Sequence, residues 1–526
     1  MQLTKLLSTL ISIISLSEAY RILVVFPICA KSHNILGNGV VNNLLKAGHE
    51  VVHITCIPNK KTITNLTEID VSAMDTNDVE TKEVDSFKLK NLVGKDNIAD
   101  SLQFFYMIHE LTKKFLKDES LTEFFLNTTQ QFDVVIAEWM FTDLAAGIAP
   151  LYKCPLIWVS TMEAHWQILR LIDGPSHPAY SVDIFSTNNL PLTFVERVTE
   201  LWVMIKKMVF INLIVTYFEK NVYNEVFLPI AAKRGVTMPS YQDAVYNGSF
   251  LLLNSHPSYG TPFQLPQNAK YVGGYHIDTN VHPLPKDIQK IMDEARDGVI
   301  YFSMGSNLKS MDMSDNMKRS ILKTFSELKQ TVLWKFEGNL SDVPANVHLM
   351  KWAPQQSILA HPNIKMFINH GGQLSTTEAI HCGVPVIGIP VFGDQYINIK
   401  SAVHKGFGIM VRLTEDIAGH LAEAIREILQ NESYKNKAVE LSKIYHNRPL
   451  PPGKELVYWV EEVIQTGGAA HLRSPALHVP LYQKAYLDLI ALVSIIIYLL
   501  RKIMSKLLSF RRKTEVKANK KKIKKH

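Results

Sequence analysis

Residues 352–395 read WAPQQSILAHPNIKMFINHGGQLSTTEAIHCGVPVIGIPVFGDQ, an order of strands and helices that points to one fold class. An apolar strand at 366–368 leads into the tetrapeptide NHGG, and a helix follows. A second apolar strand at 384–389 leads into Asp394 and Gln395, before another helix. Strands that alternate with helices in this way predict a parallel sheet covered by helices on both faces.

The same alternation extends outward in both directions. Further strands are predicted at 299–303, 331–336, 348–350 and 408–411 in the second half of the chain, and at 21–27, 50–56, 132–137 and 155–159 in the first half. Five prolines and three glycines make 254–285 a linker between domains at 20–253 and 286–465. The sequence therefore predicts an α/β protein with two Rossmann-like domains that face each other across a cleft.

The NHGG tetrapeptide (369–372) stands where a phosphate could bind. A helix N-terminus offers free amides and the positive end of the helix dipole, and glycine lets a ligand approach the backbone closely. His370 adds a hydrogen-bond donor, Glu378 can accept from ribose hydroxyls, and Trp352 offers a flat face for a base. Taken alone, the tetrapeptide is also compatible with a purely structural turn.

The whole of 352–395 resembles the donor-binding signature of the UDP-glycosyltransferase family, with WAPQ, HP, HGG, EA, GVP, GIP and DQ in order. The resemblance extends to FSMGS at 302–306 and to both ends of the chain. Within the family, the chain most resembles the membrane-bound animal branch of insect type. It implies a GT-B fold, whose first domain binds an acceptor and whose second domain binds a nucleotide sugar.

The resemblance also implies a set of donor-binding residues. They are Ser306, Trp352, Gln355, His370, Gly372, Ser375, Glu378, Asp394 and Gln395. Trp352 would stack on uracil, Gln355 would contact the nucleotide, and His370 would bind the diphosphate with the two serines nearby. Glu378 would hold the ribose, and Asp394 and Gln395 the sugar. Leu374 departs from the family pattern, since many members have asparagine there, so one phosphate or sugar contact is lost or replaced by Ser375 or by backbone.

Transfer to a hydroxyl needs a base, because the acceptor loses its proton as it attacks the anomeric carbon. His33, in a predicted loop after the first strand, stands where the family has its catalytic histidine. A carboxylate should orient this ring. Asp143 is the preferred candidate, and Glu138, at the end of strand 132–137, is the alternative. The expected reaction inverts the anomeric configuration, and no metal is expected because no ligand cluster suggests one.

The two ends of the chain predict a membrane protein of the secretory pathway. Residues 1–19 have the pattern of a signal peptide, and 481–500 are predicted to cross the membrane as one helix. A juxtamembrane segment, 466–480, precedes that helix, and a basic cytoplasmic tail, 501–526, follows it. An amphipathic helix on the membrane surface is the alternative. The final KIKKH resembles the dilysine signal that returns membrane proteins to the endoplasmic reticulum.

The tail also explains the net charge of +7, because it holds twelve lysines and arginines and one acidic residue. A basic body that binds nucleic acid is therefore not supported. Four cysteines are too few for a disulfide scaffold. Five glycosylation sequons are present, at Asn65, Asn127, Asn247, Asn339 and Asn431, and some should carry glycans if the body is lumenal.

Residues 160–245 are predicted to be mostly helical and rich in apolar and aromatic side chains. A helical core or a lid over the acceptor pocket is one interpretation, and a membrane-associated surface is the other.

The predicted function is that of an inverting glycosyltransferase that moves a hexose from a UDP-sugar to a small lipophilic acceptor. UDP-glucose is the expected co-substrate, with glucuronate and galactose left open, and no further cofactor is expected. The alternatives are a catalytically silent UDP-sugar-binding protein and a GT-B transferase that acts on a lipid acceptor. The body is expected in the lumen of the endoplasmic reticulum, and a homo-oligomer is left open.

Overall fold

The computed structural model describes residues 19–73, 89–95, 102–174, 176–186, 188, 190–278 and 281–523. The chain divides into two units, Met1–Arg473, which contains both sheets, and Ser474–His526. The predicted signal peptide, 1–19, lies outside the described residues except for Ala19, and so do the last three residues of the dilysine-like ending.

The first domain is built on a seven-stranded parallel sheet with the strand order β3-β2-β1-β4-β5-β6-β7. Its strands are β1 (Arg21–Val25), β2 (Glu50–Thr55), β3 (Leu66–Asp70), β4 (Val134–Trp139), β5 (Leu156–Ser160), β6 (Phe250–Leu253) and β7 (Ala269–Tyr271). Helix α1 (Lys31–Lys46) follows β1, and α2 (Leu89–Leu92), although it lies between β3 and β4 in the chain, packs through Leu89 and Leu92 into the core of the second domain. The other helices of the first domain are α3 (Leu102–Leu116), α4 (Glu119–Leu126), α5 (Ile148–Tyr152), α6 (Trp166–Leu169), α7 (Phe194–Phe210), α8 (Thr216–Arg234) and α9 (Tyr241–Val245). Short 3₁₀ turns occupy Leu144–Gly147 and Arg170–Ile172, and a π-helical turn, Ile211–Val215, joins α7 to α8. The central strands are almost uninterrupted apolar runs because both faces of the sheet are buried.

The second domain contains a six-stranded parallel sheet with the order β10-β9-β8-β11-β12-β13. Its strands are β8 (Val299–Ser303), β9 (Thr331–Lys335), β10 (Val347–Met350), β11 (Ile364–Asn369), β12 (Val386–Gly388) and β13 (Gly408–Met410). Its helices are α10 (Lys286–Glu294), α11 (Asp315–Ser326), α12 (Gln355–Leu359), α13 (Gln373–His381), α14 (Gln395–His404), α15 (Ile417–Gln430) and α16 (Ser433–His446), with a 3₁₀ turn at Ser310–Asp312. The predicted strands are all present, with ends that differ by at most two residues.

The strand order reverses once in each sheet, between β1 and β4 in the first domain and between β8 and β11 in the second. Parallel strands all end at the same edge of the sheet, and at a reversal the connections leave in opposite directions, which opens a crevice for a ligand. His33 follows β1 and Glu138 lies near the end of β4, while Ser306 follows β8 and His370 follows β11. The topology thus brings both predicted sites to these crevices.

The predicted linker, 254–285, does more than connect the domains. Its residues Ala269–Tyr271 form β7, which pairs in parallel with β6 at the edge of the first sheet. The prolines and glycines of this segment lie before and after this strand, in the turns that flank it. Reading the whole segment as a linker was therefore wrong for β7.

The last helix of the body, α17 (Pro452–Gln465), returns to the first domain. Its buried side chains Leu456, Val460 and Val463 join the core formed by β1, β4 and α1. The sequence predicted a second domain that ran to residue 465, and this helix corrects that boundary. Its apolar stripe covers the first sheet and not the second.

The second unit holds α18 (Leu481–Lys484) and α19 (Leu487–Ile523), after a 3₁₀ turn at Pro475–His478. The predicted span, 481–500, is therefore divided between two helices. Apolar side chains of α19 from Leu487 to Leu500 are exposed. Among the described residues, one helical stretch is long and apolar enough to cross a membrane, and it lies elsewhere, at Phe194–Arg234 in the first domain.

One disulfide joins Cys29, after β1, to Cys56, after β2, with the two Cα atoms 5.3 Å apart. Cys154 and Cys382 are free thiols. The low cysteine count gave no reason to expect this pair, because the two residues become neighbours only when β1 and β2 align in the sheet.

Candidate active site

A cavity of about 760 Å³ opens between the two domains at the carboxyl ends of their strands. This volume falls within the usual range for small-molecule sites. Its lining contains the predicted base and all of the predicted donor-binding residues, namely His33, Ser306, Trp352, Gln355, His370, Gly372, Ser375, Glu378, Asp394 and Gln395. The structure thus brings together residues that are up to 362 positions apart in the chain.

His33 lies in the first turn of α1, not in a loop as predicted, because the helix begins at Lys31. Its ring nitrogen Nδ1 donates a short hydrogen bond to Oε1 of Glu138. The His33 side chain is 13% exposed toward the cavity, whereas that of Glu138 is fully buried. With Nδ1 held by a carboxylate, Nε2 is the nitrogen left for a proton that comes from the cavity.

The pKa of His33 is raised above its ordinary value. Burial lowers it, but the charge of Glu138, the hydrogen bond to Glu138 and, more weakly, the charge of Asp394 together outweigh that effect. Asp394 belongs to the second domain, so the basicity of His33 depends on groups from both sides of the cavity. A more basic ring is better suited to accept a proton from a hydroxyl.

Asp143, the preferred partner of His33 in the sequence-based prediction, is bound elsewhere. The indole Nε1 of Trp139 donates to its Oδ1 at 2.7 Å, and Arg170 forms a partly buried ion pair with its Oδ2. The expectation that Asp143 orients His33 is therefore wrong, and the alternative carboxylate, Glu138, makes that contact.

The reason lies in where β4 ends. The strand was predicted to stop before Glu138, but it continues through Trp139, so Glu138 stays in the sheet, where it pairs with Val159 of β5. The chain then turns at Phe141, which has a left-handed backbone with φ of 55°. That turn carries Asp143 into the interior network that includes Arg170.

His370 lies between two glycine backbones at the donor end of the cavity. A Cβ atom at Gly305 would come within 2.4 Å of its Cε1, and one at Gly372 within 2.5 Å of its Nε2. Gly305 also has φ of +88°, which favours glycine independently. The two glycines are therefore required by the close approach of the histidine ring.

Burial, together with the nearby charge of Lys335, lowers the pKa of His370 to about 4. The ring is neutral at physiological pH, and its Nδ1 is buried without a hydrogen-bond partner among the described residues. His370 can thus offer one N–H donor to an anion. A bound phosphate would favour its protonation, since opposite charges stabilise each other.

Helix α13 begins directly after Gly372, and no side chain caps its N-terminus. The amides of its first turn and the dipole of the helix therefore face the region beside His370. Ser375, within this first turn, accepts a hydrogen bond from Nε2 of Gln355 at 3.2 Å. These groups form the kind of cradle that a diphosphate requires.

Glu378 is held by the amides of two neighbouring glutamines. Nε2 of Gln355 donates to its Oε2 at 2.6 Å, and Nε2 of Gln356 donates to its Oε1 at 3.0 Å. His276, from the segment after β7, lies 3.6 Å from the same Oε1. Burial alone would raise the pKa of Glu378, but His276 and the side-chain amides of Gln355 and Gln356 outweigh burial, so the pKa lies below its ordinary value. The carboxylate is therefore ionised and can accept hydrogen bonds from hydroxyls.

Trp352 and Ser306 are accessible at the mouth of the cavity. Trp352 is 55% exposed, and the ammonium of Lys31 lies 5.1 Å from its ring centre. Asn307, next to Ser306, donates to Oγ of Ser32 at 3.5 Å. Both contacts join the start of α1 to the second domain across the cleft.

Asp394 and Gln395, the residues predicted to hold the sugar, differ in their hydrogen-bond partners within the protein. Asp394 Oδ2 accepts from Asn398 at 2.9 Å, and burial raises its pKa. The side-chain oxygen of Gln395 accepts from the backbone amides of Val391 and Phe392 at 2.9 and 3.2 Å. Gln395 therefore shapes the loop before α14 as well as lining the cavity.

Leu374, the departure from the family pattern, packs against the core of the first domain. It also lines the cavity. An apolar side chain at this position therefore adds contact between the domains, where an asparagine would offer a polar group.

The first-domain wall of the cavity is apolar. It is formed by Ile35, Phe104, Met107, Leu111, Phe141, Met162 and Phe185. Phe141 packs against Phe104, Phe105 and Phe185, with ring centres 5.3–5.9 Å apart. A water-excluding surface of this kind suits an apolar ligand beside His33.

The sequence did not single out Gln356, Lys335 or Asn398. Lys335, at the end of β9, donates to the carbonyl of Gly305 at 2.7 Å and pairs with Glu337. Its place at the carboxyl end of a predicted strand was a signal that could have found it. Asn398 and Gln356 lie inside helices, where only the fold shows which way they face. Among the described residues, no group of three or more His, Cys, Asp or Glu side chains could hold a metal ion.

Two facing Rossmann-like domains with the site between them define a glycosyltransferase of the GT-B class. The calicheamicin glycosyltransferase CalG4 has the same fold, with a TM-score of 0.56 at 15% identity, over 85% of this chain and 99% of that one. The family model of UDP-glucoronosyl and UDP-glucosyl transferase matches residues 21–522.

Two relatives agree with that match. UDP-glucosyltransferase 2 of Dactylopius coccus is 33% identical over 493 residues, which cover 93% of each chain. UDP-glucuronosyltransferase 2B15 of Rattus norvegicus is 32% identical over 363 residues, covering 68% of this chain and 66% of the relative. The chain belongs to the UDP-glucoronosyl and UDP-glucosyl transferase family, and it is a UDP-glycosyltransferase.

Proposed function

We propose that the protein transfers glucose from UDP-glucose to a hydroxyl of a small lipophilic acceptor, with His33 as the base and Glu138 as the group that orients it. The observation that carries this proposal is the His33–Glu138 hydrogen bond at the wall of the donor cavity.

In the proposed reaction, the acceptor oxygen attacks the anomeric carbon of the sugar while its proton passes to Nε2 of His33. The bond between that carbon and the β-phosphate oxygen breaks, and UDP leaves with the bonding electrons. Glu138 stabilises the imidazolium that forms. His370 and the amides at the start of α13 stabilise the charge that develops on the diphosphate. A single displacement inverts the anomeric centre.

A neutral hexose is supported by the charges at the cavity. Lys335 is the only lysine or arginine among the described lining residues, and it is already bound by Glu337 and by the carbonyl of Gly305. Asp394 would repel the carboxylate of a glucuronate. One of the relatives named above is a UDP-glucosyltransferase, which agrees with this choice.

A lipophilic acceptor is supported by the apolar first-domain wall beside His33. Phenylalanine, methionine and leucine side chains there favour a ligand that leaves water, and they offer few hydrogen bonds to a polar one.

We further propose that the second unit anchors the protein in the membrane of the endoplasmic reticulum, with the body in the lumen. Helix α19 exposes a run without charged residues from Leu489 to Leu500, apolar except for Ser494 and the hydroxyl of Tyr498, and then reaches Arg501 and Lys502. Basic residues at this position agree with a cytoplasmic end.

The test measures UDP release by membranes that carry the protein, with UDP-glucose, UDP-glucuronate and UDP-galactose against a panel of phenolic acceptors. The expected result is acceptor-dependent release with UDP-glucose and a product whose mass has grown by one hexose. Preference for UDP-glucuronate would contradict the sugar assignment alone. Saturable UDP-glucose binding without release for any acceptor would favour a silent binding protein.

A further inference from the structure

The start of α1, the helix that carries His33, has no cap of its own. The helix begins at Lys31 after Ala30, and no side chain accepts a hydrogen bond from the amides of its first turn. That turn also contains no acidic residue to interact with the helix dipole. An end of this kind is held only by contacts with the rest of the fold. The position of His33, in this first turn, therefore depends on groups outside the helix.

The end of β2 supplies two such contacts. The disulfide joins Cys29, four residues before His33, to Cys56, which directly follows β2. Oγ1 of Thr55, the last residue of β2, donates to Oδ1 of Asn34 at 2.9 Å, and Asn34 directly follows His33. Thr55 is buried, so losing this bond would leave a polar group unpaired away from water. One covalent link and one hydrogen bond thus flank the histidine in the chain.

The two strands that hold His33 lie on opposite sides of β1. In the sheet, β2 pairs with one edge of β1, and β4, which carries Glu138, pairs with the other edge. The imidazole ring is bonded toward β4, while the backbone on either side of it is bonded toward β2. The ring is therefore restrained from both sides. Such restraint matters for a base, because a misplacement of about 1 Å can cost about 100-fold in rate.

We propose that Cys29, Cys56 and Thr55 are positioning residues of the transfer reaction, which hold the start of α1 so that His33 faces the acceptor hydroxyl. This inference rests on the proposed function, because it takes His33 as the base. None of the three residues exchanges a proton with the substrate. Their effect passes through the placement of His33 against Glu138.

The disulfide link can be opened by an external dithiol. Cys29 is exposed and lines the cavity, so a small reductant reaches it. Dithiothreitol gives up two hydrogen atoms and closes into a ring disulfide, while Cys29 and Cys56 each become a thiol. The N-terminal side of His33 is then released, and only the bond between Thr55 and Asn34 remains. Reduction should therefore lower turnover, and oxidised glutathione, which takes the two hydrogens back, should restore it.

The first test compares the wild type with the double variant Cys29→Ser, Cys56→Ser in membranes that carry the full chain. Acceptor-dependent UDP release should fall at least about tenfold, whereas the Kd for UDP should stay within about twofold, since the donor residues belong to the second domain. Dithiothreitol should bring the wild type to the level of the double variant. The double variant is the matched control, because dithiothreitol should leave it unchanged. Cys154 and Cys382 are free thiols in both proteins and cannot explain a difference.

Thr55→Val tests the second link while the disulfide stays intact. Valine keeps the shape of the side chain but removes the donor to Asn34. We expect kcat to fall about threefold to tenfold while KM for the UDP-sugar stays the same. The control is Thr324→Val in the second domain, which removes a partly buried hydroxyl that donates to the carbonyl of Ala418 at 3.4 Å. That variant should keep the kcat of the wild type.

The protonation of His33 separates positioning from a loss of stability. Diethyl pyrocarbonate acylates the neutral imidazole, so mass spectrometry of the peptide that contains His33 follows its protonation across pH without any turnover. Glu138 and Asp394 raise the pKa of His33 in the intact protein. Removal of the disulfide should move the labelling midpoint to lower pH and speed up labelling in the acid range at least about twofold.

A labelling midpoint that stays at its wild-type pH in the double variant would overturn the proposal, even if thermal stability falls, because the disulfide would then only stabilise the fold. Turnover of the double variant within twofold of the wild type would overturn it as well. A failure of the proposed function has a different signature. If His33 is not the base, His33→Ala keeps its turnover, while the labelling midpoint still reports whether the end of β2 holds the histidine.

Discussion

His33 and Glu138 stand 105 residues apart in the chain and share one short hydrogen bond. Burial lowers the pKa of His33, while Glu138 and Asp394 raise it. The two carboxylates have the larger effect, so the pKa lies above its ordinary value. The base is therefore protonated up to a higher pH than an ordinary histidine. Its neutral, active form is lost as the pH falls through this raised pKa.

Glu138→Gln should move the acidic limb of the pH profile of kcat/KM to lower pH, because an amide no longer stabilises the imidazolium. The rate at the optimum should fall by about 100-fold, since the amide also disfavours the reactive tautomer. The measurement is kcat/KM for the acceptor across pH. Asp143→Asn is the control, because it removes a charge that faces Arg170 and should leave the limb in place. A limb that moves with Asp143→Asn and not with Glu138→Gln would contradict the assignment.

Gly372→Ala should raise KM for the UDP-sugar at least about tenfold by pushing His370 out of the diphosphate cradle. The added Cβ would lie 2.5 Å from Nε2 of His370, while the backbone at Gly372 has φ of −62°, which alanine tolerates. Gly419→Ala on α15 is the matched control, because its Cβ would meet open space. That control should keep the same KM and gain about 0.5–1 kcal/mol of stability. An unchanged KM in Gly372→Ala would show that His370 does not contact the diphosphate.

Residue pattern predicted a set of donor-side residues that line one cavity, and it offered Glu138, the partner of His33, only as the alternative to Asp143. All of the predicted donor residues except Ser306 fall in one segment of 44 positions, so their order along the chain already places them near one another. Glu138 and Asp143 follow the same strand, five residues apart, and local pattern does not separate them. The length of β4 decides between them, and its last two residues, Glu138 and Trp139, are held in the strand by pairing with β5.

At the scale of elements, periodicity predicted most strands and helices. It did not predict which of the two sheets a given helix packs against. Helix α17 has a clear apolar stripe, and nothing in its own sequence shows that the stripe fits the first domain. Strand β7 was missed for a similar reason, because three residues between prolines become a strand only beside β6. Tertiary contacts override local signals in both cases.

Leu456→Ala in α17 should lower the free energy of unfolding by about 2–4 kcal/mol, because Leu456 is fully buried in the core of the first domain. Lys454→Ala, at an exposed position of the same helix, should change it by less than about 0.5 kcal/mol. Denaturant unfolding followed by circular dichroism compares the two. Equal stability of both variants would mean that the return of α17 contributes nothing to the first domain.

At the scale of the whole molecule, the two domains meet through the start of α1. Lys31 lies over Trp352, Ser32 contacts Asn307, and the charge of Asp394 acts on His33. A donor bound against the second domain therefore lies directly opposite the base. This arrangement brings the predicted residues of both domains into one cleft, as expected from the predicted two-domain fold.

UDP should stabilise the protein against heat, because it binds the folded cavity and not the unfolded chain. At a concentration of 100 times its Kd, the gain is about 2.7 kcal/mol. His370→Ala should reduce this gain at the same UDP concentration, and differential scanning fluorimetry measures it. An undiminished shift in His370→Ala would place the diphosphate elsewhere.

The most direct test of the central claim compares the wild type with His33→Ala in two assays on the same preparation, UDP binding by calorimetry and acceptor-dependent UDP release from UDP-glucose. We expect the Kd for UDP to stay within about twofold while turnover falls by about 10²–10⁴-fold, because only the proton acceptor is lost. Turnover within tenfold of the wild type would contradict the account, since the base would then be another group.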